Sequence, residues 1–211
     1  MPTTRISVEL LEHSHDGPAR EGISRAQFLK GALGAGIVAG GVLVTGLPKL
    51  ASSAPSASMD TEILNFLLEL EYLQQAFYSQ ATESGALAGE LSEFAQAVGV
   101  HEDEHVAYLE ELLGGEARSS PDFDFGDAAT TEEKFAQTAF VLEEIGAGAY
   151  IGQGPNLTAD RVTKVASLVS VEARHAAWIR AILEKNPAPR AADPALAERK
   201  VRAEVAKLNF S

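Results

Sequence analysis

The chain has 211 residues, of which 45% are hydrophobic and 22% charged, which is enough for one domain with a sizeable core. It contains no cysteine, and this excludes disulfide scaffolds, zinc–thiolate sites, iron–sulfur clusters and cysteine nucleophiles. The net charge is −13: residues 1–57 carry +1, and residues 58–211 carry −14, from twelve basic and twenty-six acidic residues. Such an acidic body argues against nucleic-acid binding because phosphate neutralisation needs clustered Lys and Arg.

Residues 1–57 are predicted to be an export signal. The run 31–48 has no charged residue and six glycines, Lys30 precedes it, and a stretch of small residues follows at 51–58. A charged region, a weakly apolar region and a small-residue exit are typical of a secretory signal. An uncleaved membrane anchor is the alternative, although the run is shorter and richer in glycine than the roughly 20 strongly apolar residues of a transmembrane helix.

The segment 24–30 reads Ser-Arg-Ala-Gln-Phe-Leu-Lys. It resembles the twin-arginine export motif, with Ala26 in the place of the second arginine. That resemblance implies export of an already folded protein, whereas the general secretory pathway would accept a similar segment. We therefore expect the protein in the periplasm, the cell wall or the extracellular space, in contact with a membrane only if its N-terminal segment stays uncleaved.

Beyond the N-terminal segment the apolar spacing is helical throughout, which predicts an all-α fold. Asp60 is the predicted N-cap of the first helix, and a capping box that opens at Thr130 precedes the third. Gly114-Gly115 is a predicted C-cap, and Asn186-Pro187 is expected to stop the fourth helix. The four long helices and one short helix are expected over about 60–83, 90–113, 130–152, 158–185 and 194–208.

The connections between these helices indicate the topology. Short links join the first helix to the second and the third to the fourth, so each pair forms an antiparallel hairpin, whereas about seventeen residues at 114–130 separate the two pairs. This arrangement predicts a four-helix bundle in which one long crossover joins two hairpins. The bundle domain is expected to span 58–186, and 187–211 is expected to be a polar tail that carries the short helix.

The two hairpins are similar in sequence. Glu71 and Glu143 each precede a tyrosine by seven residues, and the segments around Glu102 and Glu172 match each other, as expected for halves related by a pseudo-two-fold axis. Each of these glutamates interrupts an apolar face, because the residues three, four and seven positions away are mostly apolar. All four carboxylates are therefore predicted to point into the core, where a lone ionised group is costly.

Two Glu-x-x-His pairs indicate that metal ions neutralise these charges. In Glu102/His105 and Glu172/His175 the two side chains lie on neighbouring ridges of a helix and can reach one ion. Two such pairs, together with one inward Glu on each remaining helix, form the ligand pattern of dinuclear carboxylate bundles. Two iron or manganese ions suit this mixed donor set. The predicted metal ligands are Glu71, Glu102, His105, Glu143, Glu172 and His175.

Within this set, Glu71 and Glu143 are assigned as terminal ligands, and each histidine as a ligand of one metal. Glu102 and Glu172 are assigned as bridging or chelating ligands. Glu143 is preferred to Glu144 partly because of the repeat, since apolar residues also flank Glu144.

Two neighbouring features have a second interpretation. Tyr78 and Tyr150 are assigned to core packing, and hydrogen-bond donors to the ligands or radical sites are the alternatives. His101-Glu-Asp-Glu-His105 matches the His-Glu-x-x-His signature of zinc proteases. The chain shows no strand pattern, however, and that interpretation leaves the second Glu-x-x-His pair unexplained. His101 is expected next to the ligands or on the surface.

The stretches 64–78, 101–105, 142–150 and 172–175 resemble the ferritin-like superfamily, in particular its exported members, which include desiccation-related proteins. The resemblance extends over 59–185 and implies a four-helix bundle with a dinuclear iron or manganese centre. Its better-known relatives are ferroxidases, manganese catalases and oxygenases, so the implied partners are metal ions and oxygen or peroxide. A non-enzymatic stress or envelope scaffold is the alternative function, and a second copy of the chain, in a homodimer, is a further candidate partner.

Overall fold

The computed structural model of the chain describes residues 54–208 and residue 210. The twin-arginine-like motif and the apolar run of the predicted export signal lie outside these residues. Within the described part, no helix is long and apolar enough to cross a membrane. The described residues contain no strand, which confirms the all-α prediction for this part of the chain. Its helices are α1 (Ala57–Ser84), α2 (Gly89–Leu113), α3 (Glu132–Gln153), α4 (Ala159–Ile182) and α5 (Glu198–Ala206), with 3₁₀ turns at Gly114–Glu116 and Gly154–Asn156.

Helices α1 and α2 pack as one hairpin, α3 and α4 pack as a second, and the crossover 114–131 joins them. Near the start of the crossover, the backbone N–H of Arg118 donates to Asn65 Oδ1 at 2.8 Å, close to the beginning of α1. Further along, the ring of Phe125 lies 5.5 Å from that of Phe77, about three-quarters of the way along α1. The crossover therefore runs back along the bundle, as its length predicted, and α3 begins near the end of α1.

The predicted N-cap of the first helix is wrong. Ser56 caps α1, because its hydroxyl accepts a hydrogen bond from the backbone N–H of Met59 at 3.3 Å. Asp60 is buried in the first turn instead, and its carboxylate accepts from the backbone N–H of Thr158 at 2.9 Å and from the Thr158 hydroxyl at 2.6 Å. Since Thr158 is the N-cap residue of α4, Asp60 ties the start of α1 to the start of α4.

The predicted capping box before the third helix is also wrong. Helix α3 begins at Glu132 after Thr131, whose side chain makes no capping hydrogen bond. Thr130 lies one residue earlier, in a turn where its backbone N–H donates to the carbonyl of Asp127 at 3.2 Å. The backbone N–H of Thr130 is therefore already bonded in the turn that precedes the helix. The N-cap is Thr131, so the Ser/Thr-x-x-Glu pattern that begins at Thr130 lies one residue before the position of a capping box.

The C-terminal ends of α2 and α4 each use a residue with positive φ. Helix α2 ends as predicted, with Gly114 at φ 56°. Helix α4 ends at Ile182, earlier than predicted, because Glu184 adopts φ 56°. The backbone N–H of Lys185 then donates to the carbonyl of Arg180 at 2.8 Å, which closes a Schellman motif without glycine.

The core consists of two apolar clusters separated by a polar layer. Leu64, Leu68 and Leu109 belong to the first cluster, and the stacked rings of Phe77 and Phe135 belong to the second. On each of the four long helices, the change from one cluster to the other falls at a glutamate of the predicted site or within two residues of it. The bundle therefore encloses the predicted site between apolar layers.

The C-terminal tail packs against α3. The backbone N–H of Leu196 donates to the carbonyl of Gly148 at 2.8 Å. A Cβ at Gly152 would lie 2.0 Å from the carbonyl oxygen of Leu196, so only glycine admits the tail there. The short helix predicted in the tail is present as α5, where Val201 is fully buried. The tail is therefore part of the packed fold.

Candidate metal centre

The structure brings all six predicted ligand residues into the polar layer between the two apolar clusters. Each has a relative exposure of 0–4%. Helices α1 and α3 each contribute one glutamate, and α2 and α4 each contribute a Glu-x-x-His pair, whose two side chains share a face. The residues are Glu71, Glu102, His105, Glu143, Glu172 and His175.

The ligand atoms form two overlapping groups. Glu102 and Glu172 belong to both groups, and each group adds one further glutamate and one histidine. In each group, one oxygen or nitrogen per residue lies within 4.8 Å of the others. Two atoms bound to one cation at roughly 2.1 Å are at most about 4.2 Å apart, so a small contraction lets each group surround an ion. The groups are Glu71, Glu102, His105 and Glu172, and Glu102, Glu143, Glu172 and His175.

Both histidines direct Nδ1 toward the carboxylates. His105 Nδ1 lies 3.3 Å from an oxygen of Glu71 and 3.2 Å from an oxygen of each of Glu102 and Glu172. The Nδ1 atom of His175 lies 3.2 and 3.3 Å from two carboxylates of its own group. Because one N–H can align well with only one acceptor, this even spacing is the arrangement expected of ligands around a shared cation.

The two tyrosines interpreted as core residues are buried, and they also contact the site. The Tyr78 hydroxyl on α1 donates to Glu143 on α3, and the Tyr150 hydroxyl on α3 donates to Glu71 on α1. Burial and the charge of the adjacent carboxylate raise the pKa of both phenols, so they remain protonated donors. The sequence indicated this contact with the site, because a spacing of seven residues between Glu and Tyr, found in both hairpins, places each tyrosine on the same helix face as a ligand.

Gln74 and Gly146 are site residues that the sequence reasoning missed. Gln74 is buried, and its Nε2 donates to Glu143 Oε1 at 3.1 Å. Gly146 provides space, because a Cβ there would lie 2.4 Å from Glu172 Oε2 and 3.2 Å from Gln74 Oε1. A signal existed for Gln74, since it follows Glu71 by three residues and so shares its face.

His101 lies outside both ligand groups, beside His175. The two rings are nearly parallel, and His101 Nδ1 lies 2.8 Å from His175 Nε2, the nitrogen that faces away from the carboxylates. Burial and the nearby His175 and His105 lower the pKa of His101. The structure thus places His101 next to a predicted ligand and does not bring it to one ion with His105, as the zinc-protease interpretation needs.

The comparison with known families agrees with this geometry. The ferritin-like domain family matches residues 59–185. This chain belongs to the ferritin-like domain family. No curated protein matches the chain. The predicted relationship to the ferritin-like superfamily is therefore confirmed at the level of the domain, whose all-helical fold and buried Glu/His cluster are compatible with a metal site.

The carboxylates of this ferritin-like bundle are short of hydrogen-bond donors. Among the described residues, both oxygens of Glu102, both oxygens of Glu172 and Glu143 Oε2 receive no hydrogen bond of good geometry, although a histidine Nδ1 lies 3.2–3.3 Å from four of these five oxygens. Buried polar atoms in folded proteins almost always have a partner, and a buried carboxylate without one is strongly destabilising. The donor set therefore fits bound cations, which would satisfy these oxygens.

Protons can occupy the site in place of cations. Burial and neighbouring carboxylates raise the pKa of Glu102 and Glu172 well above the usual range. Burial alone would lower the pKa of His105, but the carboxylates of Glu102, Glu172 and Glu71 raise it to about 12. Because a metal ligand must be deprotonated, metal binding to this layer would release protons.

The glutamates that neighbour the predicted ligands point elsewhere. Glu144 forms an ion pair with the buried Arg180 and lies 3.5 Å from Arg190, so Glu143 is the member of this pair that faces the site. Glu69 pairs with Arg202 at 3.0 Å on the outside of the bundle.

Proposed function

We propose that this chain is an exported ferritin-like protein that binds two iron or manganese ions in the polar layer. We further propose that the ions serve oxygen, peroxide or iron redox chemistry that protects against stress. The observation that carries the proposal is the convergence of four buried glutamates and two histidines on two overlapping ligand groups that share Glu102 and Glu172.

The charge of the layer supports two ions. Four ionised carboxylates at 0–1% exposure balance the charge of two divalent cations when both imidazoles are neutral. Without cations, the same carboxylates must be protonated or paired with histidinium to avoid the cost of burying several like charges. Mixed carboxylate and imidazole donors suit iron and manganese, and the absence of thiolates in the chain disfavours softer metals.

Each residue has a role in this proposal. Glu102 and Glu172, which belong to both ligand groups, would be shared by the two ions, and each histidine would hold one ion through Nδ1, the atom that faces the carboxylates. When bound, the ions supply the electron transfer to or from oxygen, peroxide or ferrous iron. Tyr78 and Tyr150 orient the terminal carboxylates by hydrogen bonds, and the apolar clusters on either side keep bulk water out.

The N-terminal sequence supports the exported part of the proposal. A lysine, an uncharged glycine-rich run and a small-residue stretch follow one another at 30–58, after a twin-arginine-like motif. In this proposal the bundle lies in the periplasm, in the cell wall or outside the cell, as in the desiccation-related proteins that the sequence resembles. Cell fractionation and N-terminal sequencing of the full chain expressed from its own gene would test export and cleavage.

Elemental mass spectrometry tests the metal site. The full chain, purified without chelator, is expected to hold about two iron or manganese ions per chain. A Glu102→Ala/Glu172→Ala variant is expected to lose both ions. The control Glu104→Ala, on the exposed face of α2, the helix that carries Glu102, should keep both ions. Circular dichroism checks that all three proteins are folded. Failure of the wild type to bind metal, even after anaerobic loading with Fe²⁺ or Mn²⁺, would overturn the proposal.

Turnover separates the redox function from a scaffold. Oxygen and peroxide consumption by the metal-loaded wild type is compared with that of the Glu102→Ala/Glu172→Ala variant. Consumption that depends on the two bridging glutamates supports the redox proposal. A metal-loaded but inert wild type contradicts it and favours a structural role for the bundle.

A further inference from the structure

The internal repeat is broken at two positions that both contact the site. The repeat aligns Glu71 with Glu143, so Gln74, three residues after the first, aligns with Gly146. It also aligns the two Glu-x-x-His pairs, so His101, directly before the first pair, aligns with Val171. In each case a side chain that can form a hydrogen bond has a counterpart that cannot.

The first break adds a hydrogen bond to only one terminal carboxylate. Gln74 crosses from α1 to α3 and donates from Nε2 to Glu143 Oε1 at 3.1 Å, beside the Tyr78 hydroxyl that donates to the same oxygen. Glu71 receives the matching tyrosine hydroxyl from α3, but Gly146 has no side chain that could supply the matching amide. Two uncharged donors therefore hold Glu143, whereas one holds Glu71.

The second break supports only one histidine. His101 Nδ1 lies 2.8 Å from Nε2 of His175. When His175 binds a cation through Nδ1, its Nε2 carries the proton and donates to His101, which fixes the ring orientation and raises the basicity of Nδ1. His105 has Val171 at the corresponding repeat position, and valine offers no acceptor. Both breaks thus favour the group that contains Glu143 and His175.

We propose that Gln74 and His101 are positioning residues that make the two metal positions unequal, with the position at Glu143 and His175 binding its ion more tightly. This inference rests on the proposed dinuclear site. Outer hydrogen-bond partners of metal ligands contribute about 10- to 100-fold to metal affinity. We therefore expect two successive binding steps, in which the position at Glu71 and His105 fills second and exchanges its ion more readily.

Calorimetric titration of the metal-free full chain with Mn²⁺ tests the inference, and electron paramagnetic resonance counts the free ion. His101→Val gives position 101 the residue of its repeat counterpart and should weaken the first step about tenfold or more, leaving the second within about twofold. His101→Gln keeps an acceptor for His175 Nε2 and should restore most of the loss. Thermal melts of the metal-free protein check that both variants fold, and His101→Gln should melt as the wild type does because it keeps an acceptor for Nε2 of the buried His175.

A matched pair of glutamine variants tests the other break. Gln74→Met removes the amide that contacts Glu143, whereas Gln75→Met removes an amide that bonds Asp103 at 2.8 Å on the outer face. Only the first variant should weaken the first binding step. One step with equal affinities in the wild type, or equal weakening of both steps in His101→Val or Gln74→Met, would overturn the inequality. Absence of binding of both Mn²⁺ and, under anaerobic conditions, Fe²⁺ to the wild type would overturn the dinuclear proposal itself, and this inference with it.

Discussion

Replacing Gly146 with alanine adds one methyl group at the centre of the polar layer. Its Cβ would lie 2.4 Å from Glu172 Oε2 and 3.2 Å from Gln74 Oε1, whereas ordinary contact begins at 3.4 Å. The Glu172 carboxylate must therefore move away by about 1 Å, because its oxygen is the nearest atom to the new methyl group. Gln74 must move as well, by a few tenths of an ångström.

A shift of about 1 Å is large for a metal ligand, since distances in metal sites hold to within about 0.2 Å. Glu172 belongs to both ligand groups, so we expect Gly146→Ala to weaken both metal-binding steps by at least about tenfold. The metal-free fold should change less. Alanine gains about 1 kcal/mol over glycine inside a helix, which offsets part of the roughly 1–3 kcal/mol that overpacking costs.

Calorimetric titration with Mn²⁺ and urea unfolding of the metal-free protein measure the two effects separately. Gly154→Ala is the neutral control, because that residue is helical and has no atom within 4 Å of its would-be Cβ. Gly152→Ala is the second control, since it collides with Leu196 in the tail and should lower stability without a selective loss of metal affinity. Wild-type Mn²⁺ affinity in Gly146→Ala would refute the reasoning that this glycine makes room for a ligand.

Two further predictions concern the metal-free protein. Raised pKa values of Glu102 and Glu172 mean that the folded state retains protons that the unfolded state releases above its pKa of 4.5. The stability that these two groups contribute is therefore fully present below about pH 4.5 and is lost as the pH rises toward the pKa of the folded state. Thermal melts between about pH 5 and pH 8 should show a steeper fall in melting temperature for the wild type than for Glu102→Gln/Glu172→Gln. Parallel profiles of melting temperature against pH would contradict this prediction. The second prediction is that Asp60→Ala lowers the free energy of unfolding, measured in urea, by about 1–2 kcal/mol, because it removes two hydrogen bonds to Thr158. The control is Asp122→Ala, at an exposed site. Equal stability of the two variants would argue against a role for Asp60 in tying the start of α1 to the start of α4.

Helix periodicity was sufficient to place the buried layer. An i, i+3 pair such as Glu102 and His105 shares a face whatever the tertiary structure, and that face is apolar on either side, so its burial follows from the sequence. The topology was equally accessible, because the crossover is too long for a simple hairpin. Residue spacing along each helix therefore predicted which side chains enter the buried layer.

Contacts between helices were harder to predict. Asp60 is a residue type that caps helices, and it does support one, but its acceptor oxygens reach Thr158 on another helix. Gln74 and Gly146 matter only because the first crosses to α3 and the second leaves room for Glu172. A sequence pattern records which residue faces the core, and it does not record how far a side chain extends across it.

The bundle separates the residues that stabilise it from those that form the site. Leu67, Leu109 and Phe135 belong to clusters on opposite sides of the layer and have no polar group to satisfy, so the apolar burial that drives folding is available without any cation. The polar layer opposes folding, because the carboxylate oxygens of Glu102 and Glu172 are buried without hydrogen bonds of good geometry, and protons or cations are needed to offset that cost. Substitutions confined to the layer should therefore change metal affinity and pH dependence far more than they change the fold, and this separation is what makes metal content a direct test of the proposed function.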